Sequence, residues 1–234
     1  MPLVVVVVAT GALLHASIGF GAALFAMPLL ALIIDVPTAT PLVALVMLTT
    51  IAVLLVRDWR HVMLGSVWRL VAGTVLGIPV GLVLLEGGRG EILRIVLGAV
   101  LVAYALWYFV RPSLPRIRAN PGAWALGFVA GVLGGAYNTN GPPVILYGAA
   151  QRWPAARFRA TLQGYFLPAT VLITAGHGLS GLWTPRVLGL FAWSLPLVVL
   201  AALAGPRIGR AIPEERFSTV LHAGLAVVGI ILML

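Results

Sequence analysis

Apolar runs long enough to cross a lipid bilayer recur from one end of this chain to the other, divided by short connectors that hold the arginines. A hydrocarbon slab about 30 Å thick imposes that pattern, because each helical crossing takes about 20 predominantly apolar residues. The runs fall at 3–35, 36–56, 62–85, 92–110, 121–150, 160–176, 186–204 and 217–234. Hydrophobic residues make up 61% of the 234 and charged residues 9%, with a mean hydropathy of +1.09, well outside the soluble range. The expected class is an all-α polytopic membrane protein with the lipid bilayer as its solvent.

Charge narrows the choice of partners. The net charge of +9 comes from fifteen arginines and no lysine, and the arginines stand at the ends of apolar runs instead of forming a basic domain. Membrane topology accounts for them and nucleic acid does not. The six carboxylates, Asp35, Asp58, Glu86, Glu91, Glu214 and Glu215, all fall in or near connectors. Cysteine is absent, which excludes disulfides, thiolate metal sites and cysteine nucleophiles. No cofactor and no metal are expected. Met1-Pro2-Leu3 and the five valines after it lack a charged n-region and a small-residue cleavage pattern, and read as the start of a retained segment.

The connector at 111–120 is rich in proline and arginine and divides the chain nearly in half, giving a first repeat at 1–110, a cytoplasmic linker at 111–120 and a second repeat at 121–234. An offset of 114 lays Ala16–Gly21 on Ala130–Gly135 and Pro28 on Pro142. An offset of 117 lays Arg69 on Arg186 and Pro79 on Pro196. The first run of each half is about 30 residues and is broken by glycines followed by a proline. Each is either one kinked span or a re-entrant hairpin of two half-helices. Arginine placement separates the two readings. Eight full spans divide the arginines seven to eight between the faces, whereas two hairpins put twelve on one face and leave Arg89, Arg94 and Arg186 opposite. Only the second division obeys the positive-inside rule. The expected architecture is therefore two inverted repeats, each a glycine- and proline-broken re-entrant hairpin plus three transmembrane helices, in a bacterial inner membrane with both termini outside.

Polar residues inside the second hairpin point to a site. Gly134–Pro143 gathers hydrogen-bonding groups in an otherwise oily run, and irregular backbone at membrane depth is tolerated only where protein buries it or a wet cavity meets it. Pro28 and Pro142 are expected to open half-helices whose N-termini, with unpaired N–H groups and the positive dipole end, attract an anion. The candidate substrate-binding residues are Gly135, Tyr137, Asn138, Thr139, Asn140 and Gly141 at the second tip, with Ser17, Gly19 and Gly21 forming the opposite wall. Gln163 and Thr49, paired by the offset of 114, are further cavity polars; the plainer reading is that each bonds a neighbouring helix or its own backbone. His15 and His222 bring a proton role into view against the plainer one of packed histidines.

Gly19-Phe-Gly21 to Pro28 together with Gly131-Val-Leu-Gly-Gly-Ala-Tyr-Asn-Thr-Asn-Gly-Pro-Pro143 resemble the two tips of the TauE/SafE sulfite exporter family, and the likeness extends over nearly the whole chain. The first tip has Gly19-Phe-Gly21-Ala-Ala where that family often has consecutive glycines. The resemblance implies a secondary transporter for sulfite, a sulfonate such as sulfoacetate, or a related sulfur-containing anion. Proton or ion coupling and homo-oligomerisation are left open. Two rival classes remain: an intramembrane serine protease, since Gly178-Leu-Ser-Gly181 matches the rhomboid G-x-S-G with His222 as a base, and a non-transporting assembly subunit.

Overall fold

The computed structural model describes the chain outside residues 19–20, 59–66, 111–118, 153–154 and 210–213; the side chains of 18, 55–58, 119–120, 155–157, 159–160, 163 and 214–218 also lie outside it. The linker at 111–120 and Gly19 therefore fall largely or wholly outside the described residues. The rest is helical. The first half contains α1 (Pro2–Ile18), α2 (Ala22–Ile33), α3 (Val36–Asp58), α4 (Trp68–Gly87) and α5 (Gly90–Val110). The second half contains α6 (Ala119–Tyr137), α7 (Gly141–Ala150), α8 (Ala155–Leu179), α9 (Pro185–Gly209) and α10 (Glu214–Met233). Among the described residues four helices are long and apolar enough to cross a membrane: α3 over Val36–Leu54, α4, α5 and α9. The chain is a polytopic membrane protein. α8 has the length, about 38 Å at 1.5 Å per residue, but opens on Arg157 and Arg159, which lower its hydropathy.

Surface and interior are graded as lipid requires. Val83, Trp193 and Leu200 stand outward, 70%, 77% and 61% exposed, while Thr74, His177 and Ser194 are fully buried. Lipid chains are as apolar as leucine, so helices here gain little from burying leucine against leucine and associate through close packing and buried hydrogen bonds. Glycine spacing sets that packing. Gly73, Gly77 and Gly81 on α4 face Gly127, Gly131 and Gly135 on α6, and a Cβ on Gly77 would strike the Phe128 carbonyl, as one on Gly131 would strike that of Thr74. α9 meets α1 in the same manner, with Gly205 and Gly209 against Ala16 and Ser17, and α5 crosses α10 at Gly98 and Gly229.

These contacts have an order. Exchanging the halves turns α4 on α6 into α9 on α1, turns α3 on α9 into α8 on α4, and leaves α5 on α10 unchanged, and all of these pairs are packed together. Arg69 and Arg186 are each the second residue of their helix, and Pro79 and Pro196 each the twelfth. The offset of 117 thus joins like positions. The offset of 114 does not: Gly21 lies in the turn between α1 and α2, whereas Gly135 lies inside α6, three residues before the turn at Asn138. Glycine is frequent in both segments, and a spacing shared by chance drew the wrong register.

Both long broken runs are two helices. A continuous helix would separate residues 11 and 26 by about 22 Å. Instead a Cβ on Gly11 would lie 3.2 Å from that of Ala26, so α2 folds back along α1. Gly21, at φ 95°, makes the turn. The expectation for Pro28 needs correction, because α2 starts at Ala22 and Pro28 is its seventh residue. Glycine in the left-handed region reverses the chain before the proline is reached, and the Phe25 N–H already bonds back to the Gly21 carbonyl at 3.0 Å. Pro142 stands where expected, second in α7.

At the far end of α2, Asp35 accepts the Thr38 N–H at 2.8 Å and caps α3. Its other oxygen meets Arg186 at 3.2 Å, joining the first half to the start of α9. Partial burial raises the Asp35 pKa, but the bonds from Thr38 and the nearby guanidinium outweigh it and hold the carboxyl below its ordinary value.

Candidate functional site

The α1–α2 and α6–α7 turns converge on one small cavity. Its lining includes His15 from α1, Gly21, Ala23 and Leu24 from the first turn and α2, and Asn138, Thr139, Asn140 and Gly141 from the second turn. Met47 of α3, Ile145 of α7 and Phe166 of α8 give it apolar walls. The cavity volume is about 20 Å³, little more than one water requires. Among the described residues that line it, none is an Arg, Asp or Glu.

Each turn supplies hydrogen-bond donors in its own way. The first amides of a helix have no intrahelical partner, and those of Ala22, Ala23 and Leu24 open α2 with no side-chain cap. At α7 the same ground is occupied by Pro142 and Pro143, which have no N–H to offer. Here side chains supply the donors. Asn138 adopts φ 53°, its N–H bonding the Gly134 carbonyl at 2.8 Å, while the Thr139 N–H reaches the Leu133 carbonyl at 3.2 Å. That closes α6 and brings Thr139 and Asn140 to the cavity.

Thr139 Oγ1 and Asn140 Nδ2 are buried without a hydrogen-bond partner. An unmet buried donor costs about 1–3 kcal/mol, and two stand together at this spot. The Tyr165 hydroxyl of α8 lies 2.8 Å from Thr74 Oγ1, which is within 2.9 Å of the Leu70 carbonyl and 3.0 Å of that of Gly127, and so ties α8 to the α4–α6 glycine interface.

The remaining candidates are elsewhere. Ser17 donates to the Leu13 carbonyl at 2.7 Å and packs against Gly209; Thr49 donates to Leu45 at 2.9 Å. Both make the plainer bond within their own helix, and neither lines the cavity. Gly135 packs on Gly81 and its carbonyl lies 2.8 Å from His177 Nε2, while Tyr137 is buried just ahead of the turn. The Gln163 side chain and Gly19 are outside the described residues. Thr49 is the fourteenth residue of α3 and Gln163 the ninth of α8, so the offset that paired them does not join like positions. Tyr165 and Phe166 were missed because aromatic residues in an apolar run give no sign of which way they face. Of the protease motif, Ser180 lies in the turn after α8, its N–H on the Gly176 carbonyl at 3.0 Å, and His222 stacks on Tyr108 with ring centroids 3.8 Å apart.

Paired helical turns meeting around neutral donors in an all-helical membrane domain define the class of a membrane transporter. The family model for the sulfite exporter TauE/SafE matches residues 3–232, and the chain belongs to that family. A protein of Cupriavidus necator named as a probable sulfite/organosulfonate exporter TauE is 28% identical over 180 residues, which are 74% of this chain and 69% of that protein. No solved structure matches.

Proposed function

We propose that this chain exports a small sulfur-containing oxyanion, sulfite or a sulfonate, across the bacterial inner membrane by alternating access, binding it between the two hairpin tips. The observation that carries the reading is the convergence of α2's first turn with the unpartnered Asn140 Nδ2 and Thr139 Oγ1 on one cavity whose described lining has no fixed charge. A tetrahedral or pyramidal oxyanion presents several acceptors at once, and neutral donors with a helix N-terminus bind it without the desolvation of a buried arginine. Gly21, Asn138, Thr139, Asn140 and Gly141 form the binding set in this reading. A volume near 20 Å³ suits a closed form that must widen to admit substrate.

The two-repeat architecture with hairpins entering from opposite faces belongs to the same proposal. Asp35 and Arg186 lie on one face if the long runs are hairpins and on opposite faces if they are full spans, and their 3.2 Å contact favours hairpins. Cysteines in place of Asp35 and Arg186 should both react with an impermeant reagent added outside; reaction of only one would restore eight spans. Transport is tested in proteoliposomes loaded with labelled sulfite. The purified chain should speed its exit, with unlabelled sulfite or methanesulfonate competing and acetate not; exit no faster than from empty liposomes would sink the reading.

A further inference from the structure

Among the described residues that line the cavity, His15 is the one with an ionisable side chain. It is 4% exposed, its Nδ1 has no hydrogen-bond partner, and the Phe166 ring stands edge-on with centroids 6.5 Å away. It also sits in the last turn of α1, where the negative end of the helix dipole favours an imidazolium. Of the buried histidines His15 is the one that lines this cavity, where its unused ring nitrogen lies beside the unpartnered Thr139 Oγ1 and Asn140 Nδ2.

Among the described residues, no Arg, Asp or Glu side chain lines the cavity beside it; α10, packed on α2 with Leu221 near Gly21, brings His222, whose ring stacks on Tyr108. α2, folded along α1, has no ionisable residue between Ala22 and Ile33. On α3 the nearest to Met47 are Arg57, ten residues on, and Asp35, twelve back, roughly 15 and 18 Å along the helix. α9 meets α1 through Gly205 and Gly209; Arg207 between them is exposed on its other side. Of the groups on α8, Tyr165 is engaged with Thr74 and His177 with the Gly135 carbonyl, while Arg157 and Arg159 have side chains outside the described residues. Tyr137 and Tyr147 of the second hairpin are neutral phenols.

We propose that His15 takes up one proton as the oxyanion enters and releases it as the anion leaves, so that anion and proton move together. This rests on the cavity being the anion site. Protonation forms one N–H bond at the expense of a solvent proton, and whichever tautomer the neutral ring holds, the imidazolium has an N–H at Nδ1 to donate to an anion oxygen. The charge of the anion is then met inside the membrane by a cation that exists only while it is needed. An arginine there would have to remain charged in the empty cavity, at a steep desolvation cost.

The test is calorimetric titration of the purified protein with methanesulfonate, whose charge is constant across the working pH range, and with sulfite, in buffers of different ionisation enthalpy. Wild type should take up about one proton per methanesulfonate bound on the alkaline side of the histidine's own titration, with affinity falling about tenfold per pH unit there. His15→Gln, which keeps a donor at the site, should bind more weakly with no proton uptake and an affinity flat with pH; His15→Asn repeats the measurement should the glutamine fold poorly. Methanesulfonate or sulfite binding to wild type without proton uptake overturns the proposal and leaves the anion site standing. Uptake that persists in both variants assigns the proton to another group and overturns it also. Absence of binding by either anion removes the anion site and this inference together.

Discussion

The two tips present the same number of elements to the cavity but different chemistry. The first turns on Gly21 at φ 95° and offers backbone amides from an uncapped α2; the second turns on Asn138 at φ 53°, loses two amides to Pro142 and Pro143, and offers side-chain donors instead. Amides fixed in a helix always point along its axis, so on the proposed reading the first tip should attract any small anion. Asn140 and Thr139 have side-chain directions that follow from the turn at Asn138 and the helices packed around it. Selectivity should therefore reside in the second tip and basal anion affinity in the first.

The largest effect should come from Asn140→Leu. The change keeps the branching of the side chain, leaves the left-handed residue untouched and removes the Nδ2 donor, and a hydrogen bond to a charged group is worth about 1.5–3 kcal/mol. Transport should fall roughly 10- to 100-fold with the thermal midpoint little changed. Asn138→Leu should behave the other way round, because a leucine at φ 53° is strained by about 1–2 kcal/mol and its main cost is stability. Asn138→Gly separates the two, since glycine adopts that φ freely: transport retained in the glycine variant assigns Asn138 to the turn, and transport lost in it assigns the side chain to the substrate. Should Asn140→Leu export sulfite at the wild-type rate, the second tip does not hold the substrate.

The sequence made the membrane class, the broken runs and the polar tip legible, because each follows from composition or from residues that lipid cannot tolerate unpaired. Register was harder. Gly21 and Gly135 look alike in a one-dimensional match, yet one is a turn and the other a contact point for Gly81, and glycine serves both needs. The repeating Gly73-Gly77-Gly81 and Gly127-Gly131-Gly135 rows were present to be read, but which of eight apolar runs would pair through them depends on tertiary order. The same limit hid Tyr165: its value lies in reaching Thr74 from another helix, a fact with no local signature. His15 was visible as a titratable residue in an apolar run, and only the folded chain distinguishes it from His177, whose Nε2 is already matched to the Gly135 carbonyl.

A smaller effect sharpens the division of labour between the tips, and it uses the one chemical difference between their helix starts. Ala23 is the second residue of α2 as Pro142 is of α7. Proline is accepted in the first turn of a helix, where its missing N–H breaks no intrahelical bond, so Ala23→Pro deletes one amide donor and little else. If the α2 amides hold the anion, affinity for sulfite and methanesulfonate should drop together by about tenfold, the value of one charge-assisted bond, with their ratio preserved. Pro142→Ala is the converse and the mildest change of all. It restores an amide to α7, and a helix N-terminus stabilises a nearby negative charge by about 0.3–1 kcal/mol, so both anions should bind about two- to fivefold tighter. A change in the ratio of the two anions with Ala23→Pro, and none with Asn140→Leu, would reverse the assignment and make the first tip the selective one.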